Sequence, residues 1–181
     1  MIAKETKLKG CFILEPKVFE DSRGYFFESF NQNTFNKLID KSVNFIQDNE
    51  SFSSKGVLRG LHYQLGEHAQ AKLVRVIKGK VLDVAVDLRK DSLTFGKHVS
   101  VELSEENKRQ LFIPRGFAHG FIVLSDTAIF SYKCDNFYNK EAEGGVIYND
   151  ESLNINWKLN DDEFIISEKD LLLPKLETAK V

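Results

Sequence analysis

From residue 57 onward, apolar and polar positions alternate in short runs, the pattern of half-buried β-strands. In KLVRVIKGKVLDVAVDLR (72–89) the alternation breaks at Gly79 and resumes through Val81, Leu82, Val84 and Val86, which predicts a hairpin. KHVSVELS (97–104) alternates again, RQLFIP stops at Pro114, and GFIVLSDTAIFSYKC (120–134) predicts two strands around Ser125-Asp126. Short strands with turn signals about every 8–12 residues predict a β-sandwich or barrel. Helical spacing is confined to two places. FNQNTFNKLID (30–40) has Phe35, Leu38 and Ile39 on one face, with Asn33 or Thr34 as cap. SEKDLLLP begins a second helix with Ser167 as N-cap. The fold class is therefore mainly β with a few short helices. No repeat, low-complexity tract or linker divides the chain, so one domain is expected over residues 1–181.

Composition narrows the function classes. Hydrophobic residues make up 42% of the chain, with 15 Phe, enough for a packed core rather than a disordered polymer. A formal net charge of −2 gives no reason to expect nucleic acid or an acidic membrane surface as partner. Cys11 and Cys134 form no disulfide or zinc spacing, which suits a reducing compartment. MIAKETKLKG lacks the apolar core of a signal peptide, and apolar stretches such as GFIVL are too short to span a bilayer. The expectation is a soluble cytoplasmic protein.

Two segments are similar to the paired motifs of cupin-type jelly-roll barrels. The first such motif runs Gly, five residues, His-x-His, a few residues, Glu, six residues, Gly. Here Gly56 precedes His62 at that spacing and Lys72 precedes Gly79, but Gln64 stands at the second histidine and Lys72 at the glutamate. The second motif, Pro-x-Gly-x-x-His, is matched by PRGFAH (114–119), ending on His119. A lysine ammonium repels a cation and an amide is a poor ligand for a transition metal. No metal is expected.

Without a metal, His62 is a natural general base near neutral pH. A neighbouring Lys72 can stabilise an oxyanion. Alternation in IFSYKC puts Phe130, Tyr132 and Cys134 on one face, so Tyr132 reaches a cavity if that face lines one. Together these groups suit removal of a proton from carbon next to a carbonyl. Singly, each has a plainer reading. His62 is a structural histidine, Lys72 a solvated strand end and Tyr132 core. Asp170 in SEKD reads as the third position of a capping box, and Arg23, Arg59 and Arg115 read as surface ion pairs.

LEPKVFEDSRGYFFESF, QDNESFSSKGVLRGLHYQ, AQAKLVRVIKGKVLDVAVDLRKDSLTFG and ENKRQLFIPRGFAHGF together resemble the dTDP-4-dehydrorhamnose 3,5-epimerase family, over roughly residues 10–174. The resemblance implies a homodimeric jelly-roll enzyme that needs no cofactor. It implies conversion of a dTDP-4-keto-6-deoxy sugar to the 4-keto-L-rhamnose form by inversion at C5 and C3. It casts His62 as base, Asp170 as the carboxylate that orients it, Lys72 as enolate stabiliser and Tyr132 as general acid. It puts Arg23, Glu28, Gln47, Asn49, Arg59, His119, Glu143 and Lys169 on substrate-contacting positions. Tyr63 stands where relatives often have Phe.

The chemistry agrees with that assignment. A C4 ketone acidifies the protons at both C3 and C5, so one lysine aimed at its oxygen serves both steps. Arg59 and Arg23 suit a diphosphate, and Tyr138 suits stacking on thymine. The rival readings are an epimerase of one centre only, a sugar-nucleotide 3,4-ketoisomerase and a non-catalytic sugar-nucleotide-binding cupin. A metal-dependent cupin oxygenase is opposed by Gln64 and Lys72.

Overall fold

The computed structural model describes all of residues 1–181. The elements run β1 (Ile2–Glu5), β2 (Phe12–Glu15), β3 (Phe19–Asp21), β4 (Gly24–Phe26), α1 (Gln32–Ile39), β5 (Gln47–Ser54), β6 (Val57–Gln64), β7 (Lys72–Lys78) and β8 (Lys80–Asp87). They continue with β9 (His98–Ser104), β10 (Gln110–Ile113), β11 (Phe117–Val123), β12 (Thr127–Cys134), β13 (Glu143–Gly145), β14 (Ile165–Ile166) and α2 (Glu168–Leu171). No helix is long and apolar enough to cross a membrane.

Two antiparallel sheets face each other. The first has the order β1-β2-β10-β7-β12-β5, the second β13-β6-β11-β8-β9 with β14 added in parallel beside β6. Along β5–β12 the chain changes sheet at every step but one, β8 to β9, which is jelly-roll connectivity. Between the sheets lies a core built from both: Val74, Val76, Leu111 and Phe130 from the first, Val81, Ala85, Phe117 and Phe121 from the second. The outer face of the second sheet is buried as well, under Val146, Leu153 and Trp157 and the C-terminal tail. This double burial is why KVLDVAVD reads as a nearly continuous apolar run.

The hairpin expected over 72–89 does not form. β7 and β8 belong to different sheets, and the chain crosses between them at Gly79. Gly79 has φ +79°, and a Cβ there would lie 2.0 Å from the Thr127 carbonyl oxygen. Alternation shows which face a residue takes but not which strand it pairs with, and two strands around a glycine read alike either way. Helix α1 is present, but its cap is Asn31 rather than Asn33 or Thr34. The Asn31 side chain accepts from Thr34 N at 3.1 Å. Phe35 and Ile39 bury against Leu14, Leu73 and Phe112, covering the outer face of the first sheet. At the other end, Ser167 caps α2 as expected, accepting from Asp170 N at 3.2 Å.

Five strands precede residue 57, where the alternation gave no sign of them. β5 is the instructive one. Its partners put Gln47, Asn49, Ser51 and Ser53 on the same side as Cys134, Tyr132, Phe130 and Ala128. The inward stripe of this strand is polar, which inverts the usual pattern.

At the end of β8, Asp87 anchors the loop that follows. Its carboxylate is fully buried and accepts from Arg89 Nε and Nη2, Ser92 Oγ and Thr94 Oγ1 at 2.6–2.8 Å. Burial pushes its pKa up, but these donors outweigh burial and hold it at about 2. A depressed carboxyl adds stability that is complete above its unfolded value and is lost as pH falls through the folded one. Asp87→Asn should therefore cost about 2 kcal/mol near pH 7. Between about pH 4 and pH 2 the variant's stability should fall less steeply than the wild type's. Urea melts across that range check this, and equal acid slopes in the two proteins would contradict it.

Candidate active site

A cavity of about 600 Å³ opens between the two sheets above the core. Arg59, His62, Lys72, His119, Tyr132 and Asp170 line it, together with Glu50, Ser51, Ser167 and Lys169. Phe121 and Phe130, stacked with centroids 4.2 Å apart, form its apolar floor and are the top of the core.

Arg59 and His62 lie three residues apart on β6, and strict alternation would send them to opposite faces. The register shows why both line the cavity. His119 pairs with His62 and Phe121 with Arg59, so a two-residue step on β11 faces a three-residue step on β6. The extra residue is a bulge at Gly60-Leu61, which re-aims the side chains on either side. The bulge needs close backbones. A Cβ on Gly60 (φ +124°) would lie 2.6 Å from Gly120 Cα, and one on Gly120 would lie 2.7 Å from the Arg59 carbonyl oxygen.

The bulge also presents a donor. Gly60 N–H donates to Asp170 Oδ2 at 3.1 Å, and the other carboxylate oxygen meets His62 Nε2 at 2.7 Å. Asp170 is buried although α2 sits at the surface. The capping-box reading is thus half correct. Ser167 caps the helix, but the Asp170 carboxylate turns away to β6. Burial raises the Asp170 pKa, while His62 and the Gly60 N–H outweigh that and keep it below the usual carboxylate range. With Nε2 on the carboxylate, Nδ1 is the free nitrogen of His62.

Lys72 and Tyr132 stand on the facing sheet, on neighbouring strands β7 and β12. The Lys72 amine makes no hydrogen bond or ion pair, and it lies 5.9 Å from the centre of the Tyr132 ring. Burial pushes its pKa down. Burial pushes the Tyr132 phenol up, reinforced by Cys134 and opposed by Arg59. Arg59 has no acidic partner, its one side-chain bond being Nε to Ser53 Oγ at 3.3 Å. Its guanidinium nitrogens are left for a ligand, contrary to the surface ion-pair reading.

His119 is held by a residue the sequence reading missed. Its Nε2 lies 2.9 Å from Oδ2 of Asp83, which is fully buried on β8 with Oδ1 unpaired. Burial lowers the His119 pKa against the opposing pull of Asp83. The signal was an aspartate at an inward position of the apolar run KVLDVAVD.

At the cavity rim, Tyr138 Oη donates to Glu143 Oε2 at 3.2 Å, and Lys169 Nζ reaches Glu143 Oε1 at 2.6 Å. Gln47 accepts from Tyr138 N at 3.2 Å and donates to Asn49 at 3.1 Å, joining the polar stripe of β5 to this rim. Gln64 is not in the cavity lining. It is buried, accepting from Asn139 N at 2.8 Å, and so ties down the loop that carries Tyr138. Arg23 and Glu28 also stand apart. Arg23 pairs with Asp21 at 2.6 Å on the exposed β3–β4 hairpin, and Glu28 accepts from Asn31. Arg115 pairs with Asp135 at 2.8 Å, as a surface ion pair should. No group of three or more His, Cys, Asp or Glu side chains is placed to hold a metal ion.

A nitrogen base on one wall faces a phenol and an amine on the other. Such a site can take a proton from one face of a carbon, stabilise the resulting oxyanion and return a proton to the opposite face.

Comparison with known proteins identifies the family. The sequence profile described as dTDP-4-dehydrorhamnose 3,5-epimerase matches residues 5–178. A dTDP-4-dehydrorhamnose 3,5-epimerase of Salmonella typhimurium is 55% identical over 179 residues, 99% of this chain and 97% of that protein. The crystal structure of the enzyme of that name from Elizabethkingia anophelis superposes with a TM-score of 0.95 at 59% identity, over 98% of this chain and 97% of that one. A 3,5-epimerase from Legionella pneumophila, solved in complex with dTDP-4-keto-L-rhamnose, gives a TM-score of 0.93 at 48% identity, over 97% and 93%. With a match across nearly its whole length, the chain belongs to the dTDP-4-dehydrorhamnose 3,5-epimerase family.

Proposed function

We propose that this protein converts dTDP-4-dehydro-6-deoxy-D-glucose to dTDP-4-dehydro-L-rhamnose, inverting C5 and C3 without metal or cofactor. The observation that carries the reading is His62 on one sheet, paired with Asp170 of α2, facing Tyr132 and the unpaired Lys72 on the other sheet. His62 Nδ1 takes the proton from carbon beside the C4 ketone. The C–H electrons move into the ring, and the carbonyl oxygen becomes an enolate oxygen stabilised by Lys72. Tyr132 then gives its proton to the opposite face of the same carbon, and the ketone is restored. Asp170 fixes the His62 tautomer and stabilises the imidazolium that forms. A positioned base contributes about 10²–10⁴-fold, so enolate stabilisation must supply much of the rest.

Arg59, free of any acid, holds the diphosphate, and His119 contacts the sugar end. Tyr138 offers its ring to thymine, with Gln47, Asn49, Glu143 and Lys169 completing the nucleotide path. The protein works in the cytoplasm, where free thiols such as Cys11 and Cys134 persist.

Arg23 and Glu28 fit this function through a second copy. Their segment includes the β3–β4 hairpin, which exposes Phe19, Tyr25 and Phe26. In a homodimer this segment closes the partner's cavity and brings Arg23 to its diphosphate.

Turnover of dTDP-4-dehydro-6-deoxy-D-glucose by purified, chelator-treated protein tests the activity. Full activity after chelation is expected, and loss restored by a divalent metal would contradict it. Asp170→Asn should lower kcat by about 10²-fold or more through the wrong His62 tautomer. A normal rate with a reduced Tm would leave Asp170 only a structural role.

The shared site is tested by mixing. His62→Ala and Arg23→Ala homodimers should each be impaired. After subunit exchange, mixed dimers carry one site with both residues, and activity should rise well above either parent. Activity that stays at the average of the parents would place Arg23 outside the partner's site.

A further inference from the structure

Most lysines of this chain that touch another charge are paired at the surface. Lys55 meets Glu163, Lys80 meets Glu102, Lys133 meets Asp48 and Lys169 meets Glu143, each within 3.5 Å. Lys72 differs in every respect. It stands at the start of β7 inside the cavity and has no hydrogen bond and no carboxylate within ion-pair distance. Arg59, His119 and Lys169 line the same cavity, as do Glu50 and Asp170; Asp83 and Glu143 act on the amine from further off, and burial outweighs their pull.

An unpaired, desolvated amine keeps more of its neutral, nucleophilic form than a solvated one. The same cavity offers Arg59 with its guanidinium unpaired, a ready site for a phosphate. We infer that Lys72 is a covalent modification site for small phosphorylated aldehydes, which add to it reversibly. The Nζ lone pair attacks the aldehyde carbon and a proton passes from nitrogen to oxygen, giving a carbinolamine. Loss of water then gives an imine, and addition of water reverses the sequence. Arg59 holds the phosphate while the bond forms. This site rests on the cavity alone and does not require the epimerase reading to hold.

Pyridoxal 5′-phosphate is the probe. Protein is incubated with it near neutral pH, borohydride delivers hydride to the imine carbon, and the adduct is located by peptide mass mapping. One adduct on Lys72 is expected, forming at least about tenfold faster than on any surface lysine. Inorganic pyrophosphate should slow it by competing for Arg59. Lys72→Arg, with its fold verified by circular dichroism, should show only slow, scattered labelling. Lys72 labelled no faster than the surface lysines, or at a rate unaffected by pyrophosphate, would overturn the inference. Because mass rather than turnover is read, the outcome is separate from whether the protein epimerises a sugar nucleotide.

Discussion

The close approach of β6 to β11, with Gly60 against Gly120, is the contact on which the site depends. Neither strand can carry a Cβ at this point, since either would lie under 3.0 Å from the other backbone. That proximity admits the bulge, and the bulge does two things at once. It turns both Arg59 and His62 into the cavity, and it frees the Gly60 N–H to hold Asp170. A bulge beside an active site commonly re-aims a side chain. Here it also supplies a donor that adds to the larger effect of His62 in holding the buried Asp170 carboxyl below its usual range.

Burial divides the interior into two halves with different rules. In the lower half, both sheets meet in an aliphatic and aromatic core that ends at Phe121 and Phe130. In the upper half the inward positions are polar, and each has a definite arrangement. His62 and His119 are each paired with a carboxylate, Asp170 and Asp83. Arg59 and Lys72 are left without one. Arg59 is exposed at the cavity and Lys72 is desolvated within it, and neither has a carboxylate in ion-pair contact, a setting that suits an anionic ligand.

Much of this was legible in the sequence, for physical reasons that differ by residue. Strands β9 to β12 show because each has an apolar face or is buried on both. Tyr132 was placed by alternation alone. What stayed hidden was what periodicity does not carry. β5 has a polar inward stripe, so it does not look like a core strand. The bulge at Gly60-Leu61 breaks the alternation that would otherwise have sent Arg59 outward. Pairing partners are long-range, which is why the crossing at Gly79 reads as a hairpin. The His62–Asp170 contact joins positions 108 residues apart, and only family resemblance suggested it. Asp83 was visible as an oddity in an apolar strand, but nothing local named His119 as its partner.

A single enolate-stabilising lysine and a single base must treat both carbons next to the ketone if the cavity works as described. NMR of the product formed by the wild-type protein in D₂O reads this directly. Each inversion removes a carbon-bound proton and returns one from Tyr132, which equilibrates with solvent. The predicted product carries deuterium at both C3 and C5. Deuterium at only one carbon after complete turnover would contradict it.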